Sequence, residues 1–89
     1  MKKTFNFYTD PGHGWIKVSR KVIEELNLLP VITHCSYVRN DFFYLEEDLD
    51  ADNFIQAFEK KYGIRPKFIT HVSNKSSKIR SYSSYKYEK

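Results

Sequence analysis

The sequence predicts an α+β fold, a two-layer sandwich in which a mostly antiparallel sheet carries two helices on one face in the order β-β-α-β-β-α-β. Three observations predict it. Short runs with a period of two are separated by turn residues, and two stretches with a helical period are bounded by capping residues. Aromatic side chains make up 17% of the 89 residues, which supplies a core to a chain too short to bury more than about 60–65% of its unfolded surface.

Taken in order, Thr4-Phe5-Asn6-Phe7-Tyr8 alternates as a strand with Phe5 and Phe7 on one face, and Asp10-Pro11-Gly12 supplies the turn that Gly14 closes. Trp15-Ile16-Lys17-Val18 follows as a second strand or as the extended lead-in to a helix. Ser19 is a good N-cap, because its hydroxyl can accept from the free amides of the next turn. Val22, Ile23 and Leu26 share one side of that helix, and Asn27 can end it in a left-handed conformation. After Leu28-Leu29-Pro30, two β-rich runs, Val31–Val38 and Phe42–Glu46, flank Arg39-Asn40-Asp41 as a hairpin.

The second helix has the clearest signals. Asp50 or Asp48 can cap it, Phe54, Ile55, Phe58 and Tyr62 form its apolar stripe, Lys60 and Lys61 complement its C-terminal end, and Gly63 stops it. Lys67–Val72 is a further strand. From Ser73 the composition turns to Ser, Lys and Tyr, so the chain divides into a globular region, 1–72, and a basic segment, 73–89. That segment is either a flexible tail or an added edge strand around residues 78–82.

The formal net charge is +4, and all of it lies in residues 73–89, because Lys/Arg and Asp/Glu balance over 1–72. Asp41 to Asp52 forms an acidic shoulder without one basic residue. Such separation points to partners. No apolar run is long enough for a membrane span, the start lacks a signal-peptide core, and the single Cys35 excludes an internal disulfide; the expected compartment is the cytoplasm, with no membrane partner.

The segments DPGHGW, SYVRNDFFYLEED and NKSSKIRSY resemble parts of small uncharacterised proteins of bacteriophages and other mobile elements, and the likeness covers most of the chain. The resemblance implies a viral protein, working in the cytoplasm of the host cell, that binds a host or defence component. It carries over no catalytic residue.

Several residues are candidates for chemistry. His13 sits between glycines, where backbone can approach a ligand closely and an imidazole can act near neutral pH; the alternative is a solvent-facing turn tip. Trp15 is either a core anchor or a stacking surface. His34 and Cys35, as neighbours on a strand, would point to opposite faces, so Cys35 is expected to be buried and inert unless it meets His13 or His71. The histidines show no HxxxH or CxxC spacing, so no metal and no cofactor are expected. Glu46, Glu47, Asp48, Asp50 and Asp52 are favourable at a helix N-terminus on their own account, and equally form an acidic surface for a partner. Lys75, Lys78, Arg80 and Lys86, interleaved with Tyr82, Tyr85 and Tyr87, combine phosphate-neutralising charge with stacking groups.

Three functions follow as expectations. The first is a non-enzymatic binding protein that occupies, and so inhibits, a host or defence protein or nucleoprotein complex. The second is nucleic-acid binding through Lys75, Lys78, Arg80, Tyr82 and Tyr85. The third is a small enzyme or ligand binder in which His13 meets Arg80 or His71 in a pocket. Exposed edge strands are compatible with a homodimer.

Overall fold

Strands and helices start and stop where the local chemistry directs. In the computed structural model, which describes residues 2–86, the elements are β1 (Thr4–Thr9), β2 (Gly14–Ser19), α1 (Arg20–Glu25), β3 (Tyr37–Arg39), β4 (Phe42–Glu46), α2 (Asp50–Tyr62), β5 (Lys67–Val72), a 3₁₀ turn (Lys78–Ser81) and β6 (Ser83–Ser84). Among these residues the strands form one mixed sheet in the order β5-β1-β2-β4-β3-β6. Only the β1–β5 pairing is parallel. The expected α+β class and strand–helix order are those observed, and no helix among the described residues is long and apolar enough to cross a membrane.

The Ser19 hydroxyl accepts from the Val22 amide and starts α1, and Asn27, at φ 57°, lies just past its end. Gly63 closes α2 in the left-handed region at φ 71°, and Asn40, at φ 56°, turns the β3–β4 hairpin. Period-two alternation then sorts the sheet into two faces. Phe5, Ile16, Val18, Phe43 and Leu45 meet Ile23 of α1 and Ala51, Phe54 and Phe58 of α2 in the main core, where the Phe5 ring stands edge-on to both Phe54 and Phe58. Trp15 and Tyr44 point to the other face, where Ile79 of the 3₁₀ turn covers them in a second cluster.

Four expectations need correction. Val31–Ser36 is not strand: the Asp50 carboxylate takes the Thr33 amide and the Thr33 and Ser36 hydroxyls, bending this stretch into turns and leaving three residues of β3. Asp50, so engaged, is the first residue of α2 and not its cap, and Asp48 lies one residue before the N-cap position, Leu49, which makes no side-chain bond. Cys35 is exposed, carried outward by those turns. The C-terminal segment is docked, but Lys78–Ser81 forms a 3₁₀ turn started by the Ser77 hydroxyl, and the added edge strand is Ser83–Ser84 beside β3. Lys78, Arg80 and Tyr82 therefore do not line up on one strand face.

A cleft between the His13 turn and the start of helix α2

The DPGHGW turn is closed by its own aspartate. The Asp10 amide donates to the His13 carbonyl at 2.9 Å, and Asp10 Oδ1 accepts from the Gly12 and His13 amides, each at 2.9 Å. The same carboxylate reaches the C-terminal segment: Arg80 Nε donates to Oδ2 at 2.7 Å, Arg80 Nη2 to Oδ1 at 2.9 Å, and the Ser77 amide to Oδ2 at 2.8 Å. The Asp10 side chain is fully buried beneath this clasp. The Arg80 guanidinium, with the backbone amides, holds its carboxyl well below the usual carboxylate range.

Neither glycine of the turn has a positive φ; both serve close approach. A Cβ on Gly12 would lie 2.7 Å from Arg80 Nη2, and one on Gly14 would lie 2.7 Å from Phe7 Cζ. The turn thus brings His13 to the chain's C-terminal segment. Arg80 in turn lies 5.7 Å from the Trp15 ring.

Between this turn, the 33–36 turns and the end of β4 opens a cleft of about 470 Å³. Trp15 and Tyr37 give it an aromatic wall, their rings 6.3 Å apart, and Cys35, Leu49 and Arg80 lie along its sides. His13, Glu46 and Asp48 supply the polar groups. His13 Nδ1 stands 3.8 Å from Glu46 Oε1, beyond hydrogen-bond reach, and its ring lies 6.0 Å from that of Trp15. Glu46 Oε2 accepts from the Asp48 amide at 2.9 Å. Burial is the main reason the Glu46 carboxyl is pushed above its ordinary value, and the neighbouring Asp48 carboxylate adds to it. One ligand atom from each of His13, Glu46 and Asp48 lies within 4.8 Å of the others.

The acidic shoulder does not form one surface. Glu46 and Asp48 face the cleft, whereas Glu47 lines a separate apolar hollow with Phe7, Ile16 and Phe68 on the helix side of the sheet. Asp50 is 1% exposed and turned inward, so it is a structural acceptor and no partner contact. Asp52 is exposed on α2, accepting from Gln56 Nε2.

The basic end is likewise divided. Arg80 is held by Asp10, and Tyr85 is buried, with its hydroxyl donating to the Leu29 carbonyl at 2.6 Å and its ring 5.1 Å from Phe43. Tyr85 is therefore removed from the set of stacking groups. Lys75, Lys78 and Lys86 are exposed, Tyr82 is half-buried over Tyr44, and Tyr87 lies outside the described residues.

His13 and Arg80 meet in the cleft, as the third expectation required; His71 does not, being stacked on Tyr8 at 4.7 Å and bonded to Asn6. Cys35 and His13 line the same cleft, the one alternative to burial, besides His71, that the sequence left open for Cys35. Tyr37 and Leu49 had no sequence signal as site residues, and Asp10 had one only as a turn former. Yet each of the segments DPGHGW, SYVRNDFFYLEED and NKSSKIRSY contributes to the cleft. No protein-family model, curated protein or solved structure matches the chain.

Proposed function

We propose that this chain is a small non-enzymatic binding protein, encoded by a bacteriophage and acting in the host cytoplasm, that seats a basic side chain of a host or defence protein in the His13 cleft and so blocks that partner. One observation carries this reading. Among the described residues the only guanidinium at the cleft, Arg80, is already neutralised by Asp10, while Glu46 and Asp48 face the cleft with no Lys or Arg paired to them, beside an aromatic wall. Carboxylates next to Tyr37 suit an inserted lysine or arginine, which gains both ion pairing and a cation–π contact with that half-buried ring, Trp15 itself being buried with Arg80 at its ring. The test is capture from host cells with and without nuclease, using the native chain and Asp48→Asn. A protein partner that survives nuclease and is lost with Asp48→Asn supports the reading; a partner retained equally by both chains, or none at all, overturns it.

The grouping of His13, Glu46 and Asp48 favours a second reading, in which a divalent transition metal occupies the place of the basic side chain. A mixed imidazole and carboxylate set suits Zn²⁺ or Mn²⁺, and the 3.8 Å span from Nδ1 to Oε1 is what two bonds of about 2.1 Å make at a wide angle. Zinc titration by calorimetry, with His13→Ala as the control, separates the two readings.

A further inference from the structure

A second, chemically opposite surface lies on the sheet face away from the helices. Alternation directs Asn6 and Tyr8 of β1, Lys17 of β2, Phe42 and Tyr44 of β4, and Arg39 of β3 to this side, and the register sets Asn6 opposite Lys17 and Lys17 opposite Tyr44. His71 stacks on Tyr8 with ring planes 17° apart, Lys17 Nζ sits 4.2 Å from the centre of the Phe42 ring, and the Arg39 guanidinium sits 5.0 Å from that of Tyr82. Where the 3₁₀ turn crosses the sheet it leaves a hollow of about 160 Å³, lined by Tyr8, Lys17, Tyr44, Ser77, Lys78 and Tyr82, with Ile79 at its base.

The polar groups of this hollow are three phenols, one hydroxyl and two ammonium groups, and no carboxylate among the described residues lines it. Neither Lys17 nor Lys78 takes part in an ion pair among the described residues. Such a set of donors recognises a phosphate. The hollow is far smaller than the roughly 300–1,000 Å³ of small-molecule sites, so it suits one phosphate of a ligand whose remainder runs over the open aromatic face.

We propose that this face binds single-stranded nucleic acid, with one phosphate held between Lys17 and Lys78 and bases stacked on the Tyr8–His71 pair and on Phe42. Partly exposed aromatic rings beside unpaired cations on a sheet are the elements of a stacking platform, and Arg39 and Lys75 extend its positive charge outward. The proposal does not rest on the reading of the His13 cleft, although the 78–82 segment borders both places. It also relocates nucleic-acid binding from the C-terminal segment to the sheet, with that segment supplying Lys78 and Tyr82.

The test is fluorescence anisotropy with labelled single-stranded RNA and DNA of mixed sequence, duplex DNA, and heparin as a polyanion without bases. With three to four phosphates neutralised, the slope of log K against log salt is expected near −2 to −3, so binding weakens about 20- to 50-fold between 50 and 200 mM salt. Tyr8→Ala is expected to weaken it about 5- to 150-fold. Tyr8→Phe, which keeps the ring and loses one of the three phenols, is expected to weaken binding less than Tyr8→Ala does, and thermal melting of both variants separates a folding defect from a lost contact. Lys17→Ala should flatten the slope by about 0.7, and Lys60→Ala on α2 should change nothing. No binding at 50 mM salt, equal affinity for duplex or heparin, or a loss with Lys60→Ala equal to that with Lys17→Ala overturns the proposal.

Discussion

Replacing Asp50 by alanine tests the central claim about how the cleft is held. The Asp50 carboxylate accepts from the Thr33 amide at 3.0 and 3.1 Å, from Thr33 Oγ1 at 2.8 Å and from the Ser36 hydroxyl, while Ser36 Oγ accepts from the Glu46 amide at 3.0 Å. Asp50 is 1% exposed and Ser36 0%, so water cannot replace the lost acceptor at Ser36 without opening the core. The hydroxyl of half-buried Thr33 can turn to water, which leaves two stranded donors, the Thr33 amide and the Ser36 hydroxyl, and at about 1–3 kcal/mol each they give a loss of about 2–6 kcal/mol. Relief of the buried charge's own desolvation moves the result toward the lower end. Globular domains hold roughly 0.05–0.15 kcal/mol per residue, or about 4–13 kcal/mol for a chain of this length, so even the lower figure is a large share.

Urea and thermal unfolding measure it: at about 4–8 °C per kcal/mol, Tm should fall by at least about 8 °C. Ser36→Ala should be coupled to it by about 0.5–3 kcal/mol in a double-mutant cycle, because the two side chains belong to one network. Hydrogen exchange at the Thr33 and Glu46 amides should accelerate first. A loss under about 0.5 kcal/mol, the range of ordinary surface changes, would refute the reasoning, since the turns at 33–36 would then be held by something else.

Tyr85→Ala should cost about 3–5 kcal/mol by removing a buried ring, whereas Tyr85→Phe, losing the bond to the Leu29 carbonyl, should cost about 1 kcal/mol; calorimetric melting distinguishes them, and equal effects would deny the hydroxyl its role. Cys35 should react with a maleimide in the native protein without unfolding, and arginine amide in the cleft should slow that reaction; labelling that requires denaturant would contradict its exposure. Gly12→Ala should push the Arg80 guanidinium off Asp10 and lower Tm, whereas Gly63→Ala should act through its left-handed backbone alone, because no described residue beyond its chain neighbours comes within 4 Å of a Cβ placed there.

The parts of the fold legible in the sequence are those decided by neighbours along the chain. Ser19, Asn27, Asn40 and Gly63 act within a turn of themselves, and the alternation of β1, β2 and β4 needs no distant partner. Val31–Ser36 has β-branched and aromatic neighbours as a strand would, but its conformation is set by Asp50, 17 positions from Thr33 and 14 from Ser36. Local propensity therefore loses to a buried carboxylate that needs donors. The cleft was hidden for the same reason: Asp10 and Arg80 are 70 residues apart, and a turn-forming aspartate carries no mark of its distant cation. The charge pattern was legible as a sum and not as a surface, since consecutive acids at a strand-to-helix junction point in different directions.

The Asp10–Arg80 clasp connects the two proposed sites, because the segment it anchors supplies Arg80 to the cleft and Lys78 and Tyr82 to the sheet face. Asp10→Asn keeps an oxygen for the Gly12 and His13 amides but removes the charge that holds Arg80, so both binding activities should weaken together. The sign with pH is fixed. Asp10 in the folded chain titrates well below its ordinary 3.8, so above that value its contribution is complete, and below it the unfolded chain binds a proton that the folded chain does not. Stability supplied by the clasp is thus lost as pH falls through the acid range. Native protein should lose Tm more steeply than Asp10→Asn between about pH 5 and pH 2, the difference narrowing toward the acid end. Parallel Tm curves would show that Arg80 is held without Asp10. In that case the two sites would share a segment but not its anchor, and Asp10→Asn could weaken neither through it.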